Sequence, residues 1–191
     1  INKPSDDPGG LAVSMKLKNA ITVTEATKRN VDNALSYTDT QDSALESVAD
    51  ILDRMSTIKI SYGSGTATTS DKSSYASEFK ELQKQLDVFK SETFNSLSLF
   101  SSSTVSKQVT ISTRGDSGPT ISISSLDISG ALSVSSTINL ANATGSVTIS
   151  GISIGNLTAA ITQVASLRAT SGATSSRLQF SSDFLDTSKT N

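Results

Sequence analysis

The stretch ALSYTDTQDSALESVADILDRM, Ala34–Met55, spaces its apolar side chains at alternating steps of three and four residues. This spacing places them along one face of an α-helix. The same stripe starts upstream, and its apolar members are Leu17, Ile21, Val31, Leu35, Leu45, Leu52 and Met55. Polar residues interrupt it at Thr24, Lys28, Thr38 and Asp42. A stripe of this length predicts a long amphipathic helix that needs partner helices.

The predicted helical region occupies residues 6–100. The candidates for the residue that caps its start are Ser5, Asp6 and Asp7. Pro8 suits the first helical turn. The glycine- and hydroxyl-rich stretch YGSGTATTSD, Tyr62–Asp71, divides the region into two helices. The apolar face of the second helix consists of Tyr75, Phe79, Leu82, Leu86 and Phe89. This helix should end near TFNSLSLF, residues 93–100.

Residues 105–153 change to a period of two, which is typical of β-strands. VTIST at 109–113 and TISIS at 120–124 alternate apolar with hydroxyl side chains, and RGDSGP lies between them. ALSVSSTINL at 131–140 and GSVTISGISI at 145–154 continue the pattern. The alternation predicts antiparallel strands with one packed and one solvated side.

A last helix is predicted over Asn156–Phe184. The residues that fit one heptad register are Leu157, Ile161, Val164, Leu178 and Leu185. Small residues between them, such as Ser171 and Ser175, would permit close approach of another helix. The predicted order is therefore two helices, hairpins, and a helix that returns alongside the first.

Composition excludes several classes of function. Serine and threonine account for 61 of 191 residues, the net charge is −2, and neither cysteine nor histidine occurs. The acidic balance argues against nucleic acid as a partner. No apolar run is long enough to span a membrane. The carboxylate pairs Asp6–Asp7 and Asp50–Asp53 lack an accompanying nucleophile and base, so no catalytic residue, metal ligand or cofactor site is predicted.

Three separated segments, in order, resemble bacterial flagellin. INKPSDDPGGLAVSMKLKNAI at 1–21 and the stretch at 34–55 resemble the N-terminal half of its rod-like D1 domain. VTISTRGDSGPTISISSLDISGALSV at 109–134 is similar to the β-hairpin segment that follows. ITQVASLRATSGATSSRLQF at 161–180 resembles the returning C-terminal helix. The ordered match is more specific than any single segment.

The resemblance implies a mainly α fold, a long antiparallel helical bundle that is rod-like, with a small antiparallel β element. Its parts would be an N-terminal helical part at 1–104, a β-hairpin region at 105–155 and a C-terminal helix at 156–191. The outer insertion would be very short, because only TINLANATGSVTIS at 137–150 occupies its place. The terminal D0 segments of the family are expected to be missing from this chain.

The function that the resemblance implies is a structural, non-enzymatic subunit of the extracellular flagellar filament. Such subunits pass through the flagellar type III export route and polymerise with copies of themselves. The implied further partners are an export chaperone and the cap or junction proteins. The hook–filament junction protein, a flagellin homologue, is the alternative, because INKPSDDP at 1–8 also resembles its NRPSDDP motif.

A third hypothesis is an adhesin that uses Arg114–Gly115–Asp116 as a cell-binding ligand. The hairpin interpretation explains the same residues as a turn: Gly115 and Gly118 supply positive φ, and Pro119 sets the re-entry into the strand. The turn is the favoured interpretation.

The resemblance also implies a contact with an innate immune receptor. It aligns Arg54 with the arginine that the receptor engages on the first helix. Thr57 replaces an acidic residue of the family, Ile58 keeps an apolar one, and Gln85 replaces a glutamate on the second helix. Two polar partners are thus lost, and we expect weakened receptor binding.

Overall fold

The computed structural model describes residues 8–103, 105–113, 118–135, 138–142 and 147–190. Its helices are α1 (Pro8–Tyr62), α2 (Thr69–Phe89), α3 (Ile128–Leu132) and α4 (Ile154–Thr190), with one 3₁₀ turn at Ile149–Gly151. Its strands are β1 (Thr93–Phe94), β2 (Leu97–Ser98), β3 (Ser106–Thr110) and β4 (Thr120–Ser124). β1 pairs with β2, and β3 with β4. The predicted class, mainly helical with a small antiparallel β element, is confirmed.

The predicted break between α1 and α2 has a clear local cause. The N–H of Gly63 donates to the carbonyl oxygens of Lys59 and Ile60, both at 3.1 Å, and closes the last turn of α1. Thr68 then caps α2: its Oγ1 accepts from the N–H of Asp71 at 3.2 Å, and Asp71 Oδ2 accepts from the N–H of Thr68 at 2.9 Å. This reciprocal capping box fixes where α2 begins. Hydrogen bonds from the side chain and backbone of Thr68 lower the pKa of the Asp71 carboxyl.

The β1–β2 hairpin turns on two residues with positive φ, Asn95 at 47° and Ser96 at 64°. Two-residue hairpin loops of this kind match the twist of the flanking strands but favour Asn-Gly. Asparagine tolerates this conformation, whereas serine pays a steric penalty for its Cβ. The hairpin is therefore strained at Ser96.

The β3–β4 pair is antiparallel. Ser125 N–H donates to the carbonyl of Val105 at 3.1 Å, and Ile111 N–H donates to that of Pro119 at 3.2 Å. β3 begins three residues before the predicted strand at 109–113, while β4 coincides with the prediction. The Arg-Gly-Asp tripeptide at 114–116 lies outside the described residues.

The two further predicted strands, at 131–140 and 145–154, are wrong for the residues of these stretches that the structure describes, which contain an isolated bridge between Ser133 and Asn139 but no strand. Asp127 Oδ1 accepts from the N–H of Gly130 at 2.8 Å and starts α3, which contains the first two residues of the first stretch. The described part of the second stretch forms the 3₁₀ turn and then enters α4. Ile149 and Ile152 are both buried, and their three-residue spacing suits a turn. The alternation of apolar with hydroxyl residues in these two stretches therefore does not indicate strands.

The chain forms two compact units, the first assembled from three chain segments and the second from two. Unit 1 comprises Ile1–Ser36, Lys107–Ile123 and Thr174–Asn191, and unit 2 comprises Tyr37–Ser106 and Ser124–Ala173. Helices α1 and α4 contribute to both units. In each unit the two helices run antiparallel. In unit 1, Glu25 pairs with Lys189 and Lys28 with Asp186; in unit 2, Arg168 bonds to Asp42 and Ser171 to the carbonyl of Thr38.

The core of unit 1 mixes hydroxyl with apolar side chains. Its buried members are Thr24, Thr27, Val31, Ala34, Val109, Ile121, Ile123, Leu178, Ser182 and Leu185. The two threonines satisfy their own hydroxyls, because Thr24 Oγ1 donates to the carbonyl of Ala20 at 2.8 Å and Thr27 Oγ1 to that of Val23 at 2.9 Å. Bonding to the preceding turn lets a hydroxyl be buried without another partner.

Unit 2 has the larger apolar core. Its fully buried large side chains are Leu45, Leu52, Met55, Ile58, Phe79, Leu86, Leu99, Ile128, Leu132, Leu140, Ile152 and Leu157. Gln41 is one of the polar side chains buried in this unit, at 2% exposure. Its Nε2 donates to the carbonyls of Leu99 at 2.7 Å and Ser124 at 3.2 Å. Ser171 Oγ on α4 lies 3.3 Å from Gln41 Oε1, so this amide joins four chain segments.

Most members of the predicted helical stripes are buried. On α1, Val31, Leu45, Leu52 and Met55 are buried, and on α4, Leu157, Val164, Leu178 and Leu185. Leu17 and Ile21 are not: they are 60% and 44% exposed. Periodicity identified their face correctly, but no described residue covers it.

Ser96→Gly should stabilise the chain. Glycine adopts positive φ without the Cβ clash, so we expect the free energy of unfolding to rise by about 1 kcal/mol, less the entropy that glycine adds to the unfolded state. Urea denaturation measures the change. Ser102→Gly, at an exposed position whose φ is negative, is the matched control and should give no gain. An equal effect of both substitutions would contradict the strain.

Gln41→Met should destabilise unit 2. The substitution keeps the volume but leaves the buried carbonyls of Leu99 and Ser124 without this donor, which should cost about 3 kcal/mol. The unfolding midpoint in urea reports the loss. Gln85→Met, on the exposed face of α2, removes the same amide from solvent contact and should leave the midpoint unchanged. A Gln41→Met variant as stable as the parent would show that the network contributes nothing.

Candidate functional site

An uncovered apolar surface lies near the start of α1. Val13, Leu17 and Ile21 are spaced four residues apart on one side of the helix, and we call them the α1 apolar face. They are 57%, 60% and 44% exposed. The same side of α1 continues into the buried residues Thr24 and Val31. A surface that belongs to the packed stripe thus lacks cover among the described residues of unit 1.

A second exposed apolar surface lies on α4. Phe180 and Phe184 are 73% and 66% exposed, and we call them the phenylalanine patch. Exposed phenylalanines one turn apart are unusual on a helix whose Leu157, Val164, Leu178 and Leu185 are buried. Beside the patch is a groove of about 410 Å³, lined by Ser112, Thr113, Pro119, Phe184, Leu185 and Ser188. Both surfaces and the groove belong to unit 1.

Charged side chains lie beside both surfaces. Residues 9–24 of α1 contain Lys16 and Lys18 and no carboxylate. Lys18 lines the shallow groove along the α1 apolar face. Beside the phenylalanine patch, Asp183 is exposed and accepts a hydrogen bond from Gln179 Nε2 at 3.0 Å. The α1 surface is therefore basic, whereas charges of both signs lie beside the α4 surface, because Arg177 is exposed three residues before Phe180.

A cluster of polar groups holds α1 against α4 within unit 1. Lys28 Nζ lies 3.1 Å from Asp186 Oδ2 and 3.5 Å from Asp32 Oδ2, and it donates to Ser182 Oγ at 3.1 Å. Hydrogen bonding to Asp186 raises the pKa of Lys28. Lys189 Nζ lies 2.8 Å from Glu25 Oε1 and lowers the pKa of the Glu25 carboxyl.

These shifts set a pH window for unit 1. Glu25, with a depressed pKa, stabilises the fold above its unfolded pKa and loses this effect as the pH falls through its folded value. Lys28, with a raised pKa, stabilises it below its unfolded pKa and loses the effect as the pH rises through its folded value. The contribution of both is complete around neutral pH.

Arg168 has the corresponding role in unit 2. Its Nε and Nη2 donate to the two carboxylate oxygens of Asp42 at 2.9 and 3.0 Å, and Glu46 lies 3.9 Å away. This bidentate geometry fixes direction as well as charge. Asp42 belongs to a line of carboxylates on one side of α1, consisting of Asp39, Asp42, Glu46, Asp50 and Asp53. Arg168 offsets part of their mutual repulsion.

The residues predicted to contact an immune receptor have different surroundings. Arg54 Nη2 lies 2.6 Å from Glu78 Oε1, and the arginine side chain is 54% exposed. Gln85 is exposed on α2, whereas Ile58 is 1% exposed and belongs to the core of unit 2. Arg54 thus has a partner on α2 that the sequence did not indicate. The weakened receptor contact stays a prediction.

The described residues offer little to reaction chemistry. Asp50 and Asp53 are exposed on α1, and Asp6 and Asp7 lie outside the described part of the chain. Within that part, no group of three or more acidic residues is placed to hold a metal ion. None of its helices combines the length and hydropathy needed to cross a bilayer.

Two features of the site escaped sequence reasoning. Phe180 and Phe184 lie outside the heptad register of the buried Leu178 and Leu185, so the sequence could have indicated that they are exposed. Leu17 and Ile21 fit the register of the buried stripe, so nothing in the neighbouring sequence indicated that they are exposed.

Comparison with known proteins identifies relatives of this chain. Residues 1–104 match the family model for the bacterial flagellin N-terminal helical region. The flagellin of Clostridium tyrobutyricum is 32% identical over 106 residues, which cover 55% of this chain and 28% of that protein. The chain thus spans less than a third of the length of that curated relative.

Two solved structures share the fold. The crystal structure of Bacillus cereus flagellin aligns with a TM-score of 0.67 at 24% identity, covering 82% of this chain and 88% of that one. A putative flagellar hook-associated protein from Vibrio parahaemolyticus aligns with a TM-score of 0.61 at 15% identity, covering 98% and 99%. At these identities the likeness concerns the fold alone.

Lys189→Met should raise the pKa of Glu25 toward the ordinary glutamate value, because the hydrogen bond and charge of Lys189 are the largest causes of its depression. Carboxyl ¹³C chemical shifts, followed by NMR across the acid range, measure this pKa. Lys16→Met, which removes an ammonium group elsewhere on α1, is the control. Equal Glu25 pKa values in all three proteins would refute the ion pair in solution.

Proposed function

Because the chain belongs to the bacterial flagellin family, we propose that it is a structural subunit of a flagellar filament, outside the cell, built from copies of itself. The family model covers more than half of the chain, and the curated relative is itself named a flagellin. The proposal assigns the chain a mechanical rather than an enzymatic role.

The observation that carries the proposal is the α1 apolar face. A helix that leaves Val13, Leu17 and Ile21 in water gains free energy when another surface covers them, at about 25 cal/mol per Å² of apolar area. In a filament, neighbouring subunits supply such a surface at every position. This physical need for a neighbour supports a self-associating subunit.

The alternative is a hook–filament junction protein. The likeness to a putative hook-associated protein, over 98% of this chain, is the observation that favours it. The family-model match and the 32% identity to a flagellin favour the filament subunit. Both roles use the same fold, and they differ in how many subunit layers form.

We extend the proposal to the export route of the subunit and to the proteins that it binds. A filament subunit would leave the cell through the flagellar type III export route. It would meet an export chaperone inside the cell, and cap or junction proteins at the two ends of the filament. These partners follow from the proposed role.

Immunogold electron microscopy of flagella sheared from the encoding bacterium tests the proposal. An antibody raised against residues 8–190 should label filaments along their whole length, because every subunit carries the epitope. Flagella from a strain that lacks the gene are the control. Gold confined to one narrow band at the hook end would replace the filament role with the junction role, and flagella without gold would refute both.

A further inference from the structure

We propose that Ser171, through the polar layer that it forms with Thr38 and Gln41, selects the position of α4 along α1. Without this layer, α4 also packs in a second register, displaced by seven residues toward the C-terminal end of α1. This choice of register is a property of the single chain and does not depend on the proposed filament role.

Both helices bury side chains at the same interval. Every seventh residue of one series on each helix is buried: Thr24, Val31, Thr38, Leu45 and Leu52 on α1, and Leu157, Val164, Ser171, Leu178 and Leu185 on α4. A displacement of α4 by seven residues therefore again places buried positions of one helix opposite buried positions of the other. Displacements by one to six residues break this match.

Ser171 is the one polar member of the α4 series. It is 3% exposed, its Oγ lies 3.3 Å from the carbonyl oxygen of Thr38, and Gln41 Oε1 lies at the same distance. The amide of Gln41 is fixed from its other end, because its Nε2 donates to two carbonyl oxygens outside α4. The acceptors that Ser171 uses are thus held in place by unit 2 itself.

The second register separates these groups. A displacement by seven residues moves Ser171 from Thr38 to Leu45, whose side chain accepts no hydrogen bond. Gln41 Oε1 at the same time loses the hydroxyl that it faces. Burying a polar group without a partner is costly, so the layer disfavours the second register. A single polar position in an apolar heptad series fixes the register of coiled coils in the same way.

The Arg168 pair opposes this displacement less than it opposes a small one. Arg168 now donates to both carboxylate oxygens of Asp42. Seven residues further along α1 it would lie beside Ala49, between Glu46 and Asp50. It would exchange one carboxylate for two others, so charge does not exclude the second register.

Charge also determines the direction of the displacement. Lys189 now pairs with Glu25 at 2.8 Å. Moved by seven residues toward the C-terminal end of α1, it would meet Asp32, whereas the opposite movement would bring it to Lys18. Only the first direction replaces one ion pair by another.

Pairs of cysteines report the register, because the chain contains no cysteine of its own. Asp42→Cys with Arg168→Cys reports the present register, and Ala49→Cys with Arg168→Cys reports the second. Each pair is introduced into the full chain with and without Ser171→Val, the dilute protein is oxidised, and intramolecular disulfide is measured from the remaining free thiols. Ser171→Val makes the α4 series wholly apolar, so the disulfide yield of the second pair should rise about tenfold, the equivalent of one buried hydrogen bond. The yield of the first pair should fall.

Two controls separate a second register from a loosened helix. Thr57→Cys with Arg168→Cys fits neither register, and its yield should stay low in the Ser171→Val background. Ser166→Val makes the same change at an exposed position of α4 and should leave every yield unchanged.

Three results would overturn the proposal. Unchanged yields after Ser171→Val would show that other contacts fix the register. Equal rises for the Ala49→Cys and Thr57→Cys pairs would show that α4 only loosens. Loss of disulfide from all pairs would show that the polar layer is needed for folding rather than for the choice of register.

Discussion

Every buried hydroxyl in this chain needs an acceptor before its helix can pack, and this constraint governs the rest of the structure. Serine and threonine supply 61 of 191 residues, and hydroxyl side chains share the buried helix faces of unit 1 with apolar ones. Thr24 and Thr27 meet the constraint through carbonyls of their own helix. The faces of α1 and α4 can therefore approach closely although part of their contact is polar. No buried side-chain polar atom in the described residues lacks a hydrogen-bond partner.

Specific polar contacts then select one register of α1 against α4. Arg168 donates two hydrogen bonds to Asp42, and a shift of α4 along α1 by one residue would separate the two side chains. Lys28 in unit 1 and Gln41 in unit 2 act similarly, because each bonds to groups from distant segments. Sliding the helices would leave these groups buried or half-buried without partners, at a cost that the apolar contacts do not offset.

Much of the fold could be predicted from local sequence, and most of the candidate site could not. The stripe through Leu45 and Leu52 predicted α1, and the glycines after Tyr62 predicted its end. The sequence did not predict α3, because its residues alternate as in a strand and the helix depends on one capping hydrogen bond to Asp127. The burial of Gln41 and the exposure of Leu17 depend on which distant segments cover them. Periodicity states which side of a helix is apolar, but not whether anything lies on that side.

The division of each unit among remote segments bears on the order of folding. The contacts of Lys28 with Ser182 and of Arg168 with Asp42 join residues 154 and 126 positions apart. A chain delivered with its N-terminus first can form α1 and α2 at once, but neither unit closes until α4 arrives. Such high contact order makes closure slow and late. Until α4 arrives, the first hundred residues lack the contacts between α1 and α4 that complete both units.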